Sequence, residues 1–218
     1  MRLKSEKDAW LRVVEPEDLD THMRDIGQAS ANCEIIKEMF RKRPLGENSK
    51  VLVHGCGTCQ MFEYIAPSDI VKGEMTFADI SSKMLRAAGR RLRRYRGLSY
   101  HILVDDIENT SINEHYDAVL LVLILLHVDW KRSLENMIRL NPSCFYIIEQ
   151  KQGPERPAVT RGRVLPRSIR RYTKVADAEL VEIDELTEFL SRKGYNLVYK
   201  VERKVPDDKL MMGLVYSR

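Results

Sequence analysis

The sequence predicts an α/β protein built on an open, mostly parallel sheet with helices on both faces. Three observations carry that expectation. Val51-Leu52-Val53 is a short, wholly apolar segment that runs straight into Gly55 and Gly57, the pattern of a buried parallel strand ending in a sharp turn. Residues 118–126 form a second continuous apolar run, as expected of a central strand covered on both faces. Between and after these, strand-like runs alternate with stretches of helical spacing, the order in which βαβ units are built.

The chain of 218 residues is 44% hydrophobic, enough for one well-buried core and short for two, so a single domain over 1–218 is expected. Its formal charge of +4 is too small to point by itself to nucleic acid or to a membrane surface. The first ten residues, MRLKSEKDAW, have no apolar centre and do not read as a secretory signal. The longest apolar run is far short of the ~20 residues that span a bilayer. The expectation is a soluble, cytoplasmic protein without a membrane segment. Four cysteines are too few and too scattered for a disulfide framework. Cys56 and Cys59 do form a CxxC at the turn, where a redox or metal role is one reading and small turn-filling residues the other. A structural zinc site would need a second pair at ligand spacing, and no metal is expected.

Taken in order, residues 1–45 have helical spacing, with Trp10, Val13 and Val14 before Pro16 and a second apolar series from Leu19 to Phe40. Acids at the front and bases at the end of that second helix suit its dipole, and Pro44 and Gly46 stop it. At the turn, Gly55 and Gly57 clear side chains from the backbone, so that a nucleotide can lie against the peptide plane. From Thr58 to about residue 66 the pattern reads as a helix whose amino terminus faces the same crevice. Gln60 stands where the dinucleotide fingerprint has its third glycine, which argues against a nicotinamide or flavin enzyme. Asp79 closes the next strand, about twenty residues beyond Gly57, the spacing at which a carboxylate reaches ribose hydroxyls.

An arginine-rich amphipathic helix follows, then a strand ending in Asp105-Asp106-Ile107, then the apolar run and His127. A fifth strand ends at Glu149-Gln150. Residues 151–180 depart from simple alternation and hold Arg161, Arg163, Arg167, Arg170, Arg171 and Lys174 without an acid from 161 to 174. This reads either as a substrate-side insertion beside an anionic group or as a solvated loop. A helix and two tandem strands finish the chain, and the two strands read as an antiparallel hairpin.

The glycine turn and these later stretches together resemble the motifs of the class I S-adenosylmethionine-dependent methyltransferases, from about residue 50 to 150, with a looser echo at the end. The resemblance implies a Rossmann-like, seven-stranded, mostly parallel sheet with an antiparallel C-terminal hairpin, and S-adenosyl-L-methionine as cofactor. It assigns the cofactor site to His54, Gly55, Cys56, Gly57 and Gln60 at the turn, with Asp79 at the ribose. Ile80 and Met84 would border the adenine or the methionine tail. Asp106 would be the adenine acid and Ile107 its apolar neighbour, with Asp105 as the competing carboxylate. Leu121 and Val122 would flank the methionine end. Two departures stand out: His54 where the family usually has an acid, and Cys59 where it most often has another glycine. The leading helices would bring His22, Met23, Arg24 and Gln28 toward the site.

The function expected is methyl transfer to an oxygen or nitrogen of a small-molecule acceptor, with His127 as candidate base, Glu149 as second catalytic candidate and Asp129 behind them. An RNA methyltransferase using the basic helix and insertion is the first alternative. A non-catalytic module that binds the cofactor without transfer is the second. Oligomeric state is not readable from the sequence.

Overall fold

The computed structural model describes residues 6–152, 164–176, 178–206 and 208–218. Arg161 and Arg163 of the basic stretch, and Asp207 of the last turn, lie outside the described residues. No helix of the described residues is long and apolar enough to cross a membrane.

Seven strands form one sheet: β1 (Lys50–His54), β2 (Glu74–Asp79), β3 (Ser99–Val104), β4 (Ala118–Val122), β5 (Cys144–Lys151), β6 (Asn196–Val205) and β7 (Lys209–Ser217). Their order is β3-β2-β1-β4-β5-β7-β6. The first five pair in parallel, and β7 runs antiparallel between β5 and β6. The order reverses between β1 and β4, so a crevice opens at the carboxyl ends of these two strands, where such sheets take their ligands.

Among the described residues seven α-helices accompany the sheet: α1 (Glu6–Arg12), α2 (Pro16–Asp25), α3 (Gln28–Lys42), α4 (Ser82–Leu92), α5 (Trp130–Arg139), α6 (Arg167–Tyr172) and α7 (Ile183–Arg192). Strand alternation sends Val51, Val53, Leu120 and Tyr146 to one face and Leu52, Val119, Leu121 and Phe145 to the other. The first face packs on the apolar stripes of α3 and α4 through Ile35, Ile36, Met39, Phe40, Leu85 and Ala88. The second packs on α5 and α7 through Leu134, Met137, Leu186 and Leu190. α3 lies so near β7 that a Cβ at Gly213 would come within 2.3 Å of Ile35 Cγ2, so only glycine permits that approach. A third cluster, Ala9, Val14, Met84, Ile169 and Tyr172, holds α1, α4 and α6 together above the strand ends.

Three local expectations are corrected. The second helix, expected to be continuous through Phe40, breaks at Gly27, whose φ of 73° is left-handed, so α2 and α3 are separate and change direction at the rim of the crevice. The helix expected from Thr58 to about residue 66 does not form. Gly57 and Cys59 have φ of 53° and 56°, incompatible with a right-handed helix, and only single 3-10 turns at Gln60–Phe62 and Pro67–Asp69 follow. No helix dipole therefore points at the crevice from this turn. The apolar run after β4 stops being a strand at Leu123, where φ is 54°, and closes into a 3-10 turn at Leu125–His127.

Candidate functional site

A cavity of about 200 Å³ sits on the carboxyl ends of the central strands under α1, α2, the start of α3 and α6. Its floor is the glycine turn. Gly55 has φ of 67°, and a Cβ there would lie 2.5 Å from Ile124, so conformation and space both require glycine. Gly57 is different: an added Cβ would meet nothing within 4 Å, which leaves its backbone bare for a ligand to approach.

Asp79 is the hub of this floor. Its Oδ2 accepts the Gly57 N–H at 2.8 Å and its Oδ1 the Ser81 N–H at 2.8 Å, so the carboxylate holds the turn and the following loop at once. Burial raises its pKa against the pull of those two amides. A carboxylate offers about four acceptor sites, so two remain after these bonds, a match for a vicinal diol.

The two adjacent acids of the third strand separate in role. Asp105 is nearly buried; its Oδ2 accepts from His54 Nε2 at 2.9 Å, and its Oδ1 accepts from the Ser111 N–H at 2.9 Å and the Ser111 hydroxyl at 3.0 Å. Burial pushes its pKa up, but the His54, Thr110 and Ser111 hydrogen bonds outweigh burial and bring it to about 2. His54 thus pairs with an ionised partner through Nε2–H, while its Nδ1 is buried without one. At the position where the resemblance expects an acid, the structure has a histidine hydrogen-bonded to the carboxylate of Asp105. Asp106 accepts from the Lys7 ammonium, from Asn109 Nδ2 at 3.0 Å and from the Glu108 N–H, so α1 closes over this acid.

The cover is tied down by polar contacts to the floor. Arg91 of α4 pairs with Asp20 of α2 at 2.7 Å and also reaches the Thr58 carbonyl, and Gln60 Nε2 donates to the Asp20 carbonyl at 2.7 Å. Arg91 is therefore a strut, not part of a phosphate-binding face. Farther round, Gln28 Nε2 donates to Gln150 Oε1 at 2.8 Å. The Asn32 side-chain oxygen is buried at the cavity without a partner. Burial, and then the nearby Lys209 ammonium, pull the pKa of cavity-lining His22 down, which favours the neutral ring.

His127 stands at the other end of the cavity in the 3-10 turn after β4. Its Nδ1 lies 2.6 Å from Glu6 Oε1 and 3.1 Å from the Tyr172 hydroxyl, and that hydroxyl donates to the same Glu6 oxygen. Trp10 packs edge-on against the His127 ring, with centroids 5.2 Å apart.

Of the residues expected at the site, His54, Gly55, Cys56, Gly57, Gln60, Asp79, Ile80, Asp105, Asp106, Ile107, Val122 and His127 line the cavity. Three do not. Met84 is buried in the cluster under α6. Leu121 points into the core on the α5 and α7 side. Glu149 is fully buried, and strand alternation turns it away from the cavity toward that same side, while its neighbour Gln150 faces the cavity. Asp129 caps α5 by accepting the Arg132 N–H. Among the leading-helix residues, His22, Met23 and Gln28 face the cavity, and Arg24 pairs outward with Glu63. Burial, with Cys59 beside it, holds the Cys56 thiol well above its ordinary range, contrary to what a redox CxxC requires. Sequence reasoning missed Glu6, Lys7, Asn32 and Tyr172 because their spacing does not differ from that of surface positions; Trp10 was legible only as an apolar helix residue.

Strand order, glycine turn and acid placement define a class I methyltransferase fold. Residues 51–141 match the family described as "Methyltransferase domain". Solved structures that the chain resembles hold SAM or SAH. Among solved structures it is similar to magnesium protoporphyrin IX methyltransferase from Synechocystis PCC 6803 with bound SAH, with 15% identity, 89% of this chain and 86% of that one covered, and a TM-score of 0.65. It is also similar to the N-methyltransferase NodS of Bradyrhizobium japonicum WM9, with 16% identity, 87% of each chain covered and a TM-score of 0.60. A third is the geranyl diphosphate C-methyltransferase of Streptomyces coelicolor A3(2), with 11% identity, 87% and 79% covered and a TM-score of 0.63. At these identities the likeness is one of fold. No curated protein matches the chain in sequence.

Proposed function

We propose that this enzyme transfers a methyl group to an oxygen or nitrogen of a small-molecule acceptor, with His127 taking the acceptor's proton. The observation that carries the reading is the position of His127: it lines the same cavity as the glycine turn, and among the described residues its hydrogen bonds to protein groups are made through Nδ1.

The bound cofactor supplies an activated methyl group on a sulfonium. This chain's residues do the rest. Asp79, the bare backbone at Gly57 and Asp106 under Lys7 fit a nucleoside, and the unpartnered Asn32 oxygen offers an acceptor for a further polar group. The α1, α2 and α6 cover excludes water with Trp10, Leu19, Met23 and Ile169. Holding donor and acceptor end to end is the main contribution required of the protein. Transfer from a protic acceptor releases a proton, and His127 is the side chain positioned to accept it. Glu149 has no such role in this reading, because it faces the other layer.

The enclosed, largely apolar walls favour a metabolite. One observation favours an RNA acceptor instead: Arg93, Arg94 and Arg96 beyond α4, and Arg167, Arg171 and Lys174 near α6, make no ion pair among the described residues. Incubating the protein with labelled S-adenosylmethionine and, separately, a metabolite extract and total RNA tests the choice. Label in the small-molecule fraction supports the proposal, and label only in RNA sinks it.

A further inference from the structure

We infer that Glu6 is a positioning residue for His127, held in place by Tyr172, and that together they set which imidazole nitrogen is free to take a proton. The inference rests on the reading of His127 as the base and names what makes it one.

The geometry is a three-way contact between distant parts of the chain. Glu6 opens α1, Tyr172 ends α6 and His127 lies in the turn after β4. Glu6 Oε1 accepts from the Tyr172 hydroxyl and from His127 Nδ1, and the two donors lie 3.1 Å apart. The Glu6 and His127 side chains are only 10% and 13% exposed, so water competes little for these bonds. Burial, and then the Glu6 carboxylate, push the phenol of Tyr172 far up. It therefore stays a proton donor and uses that proton on Glu6.

A carboxylate has no proton to give, so a neutral His127 can bond to Glu6 only through Nδ1–H. Its Nε2 then carries the lone pair. A neutral imidazole without such a partner has no reason to prefer this tautomer. In the transfer step the acceptor's bond to methyl forms as the methyl–sulfur bond breaks, and the acceptor's proton passes to Nε2. The resulting imidazolium keeps Nδ1–H on Glu6, whose negative charge compensates it. Trp10, packed edge-on at 5.2 Å, holds the ring plane. The substrate class follows: an acceptor with a proton to lose. A thioether or tertiary amine would gain nothing from this arrangement.

Both partners come from the cover, so the base is complete only with α1 and α6 seated. A plain latch between cover and core makes the same contacts, and the tautomer separates the two roles. Nitrogen-15 long-range correlation spectra of the protein saturated with S-adenosylhomocysteine, at mildly alkaline pH, read it directly. Wild type should show His127 with hydrogen on Nδ1. Glu6→Ala frees the Tyr172 hydroxyl to donate to Nδ1, and the hydrogen should move to Nε2. Glu6→Gln, the variant to use if the alanine protein does not fold, should lose the exclusive Nδ1–H signal because an amide can either donate or accept. Calorimetric affinity for S-adenosylhomocysteine should stay within about threefold in both variants.

An Nε2–H ring in wild type, or one tautomer common to wild type and both variants, overturns the inference. Affinity that collapses while the tautomer stays put identifies a latch and overturns it equally. The base reading fails by a different result: full turnover in His127→Gln, which leaves the tautomer experiment as it stands.

Discussion

Glu149 provides a sharp test of the buried electrostatics. Both of its carboxylate oxygens are buried without a hydrogen bond of normal geometry, and burial, opposed only by the neighbouring Gln150 backbone amide, pushes its pKa from the ordinary 4.5 to about 8. The folded state therefore binds this proton more tightly than the unfolded chain does. Its contribution to stability is fully present below about pH 4.5 and is lost as pH rises through that window toward 8. Each pH unit inside the window costs about 1.4 kcal/mol. At pH 7 the accumulated loss is about 3 kcal/mol, and over the whole window it approaches 5 kcal/mol. Glu149→Gln removes the titration while keeping the shape. Urea unfolding midpoints measured at half-unit intervals from pH 5 to 8 should show a falling wild-type curve and a variant curve flatter by about that slope. The two curves should cross, because the buried amide costs about 1–3 kcal/mol at every pH. Parallel curves would show that the carboxyl group is solvated or paired, and that its assignment to the dry side of the sheet is mistaken.

Three further outcomes follow from the site. Gly55→Ala forces a side chain into a left-handed position 2.5 Å from Ile124; strain and overpacking together should cost about 3 kcal/mol in chemical denaturation. Asp79→Asn places an NH₂ against either the Gly57 or the Ser81 amide, and calorimetry with S-adenosylhomocysteine should show binding weaker by about 2 kcal/mol, or ~30-fold. His127→Gln should lower kcat by roughly 10²–10⁴-fold on a protic acceptor while cofactor affinity is unchanged.

How much the sequence disclosed differs from residue to residue, for physical reasons. The strand at Val51–Val53, the glycine turn and Asp79 were all readable, because a buried parallel strand must be apolar and a bare turn must be glycine. The helix after the turn was misread: local propensity saw Thr58 onward, whereas the left-handed backbone at Gly57 and Cys59 is imposed by how the turn packs under α2. Glu149 and Gln150 show the limit most clearly. They are neighbours at the end of one strand, yet one faces the cavity and the other the α5 and α7 layer. A single residue of register decides between them.

The sequence by itself determined the sheet and the acids that ring the floor, since both need only a local pattern repeated at a known spacing. The tertiary structure alone decided what surrounds His127. Glu6 and Tyr172 lie 121 and 45 residues from it along the chain and meet it only because α1 and α6 pack on α4 above the strand ends. Contacts between segments so far apart are set by the packing of whole elements, and no spacing in the chain records them.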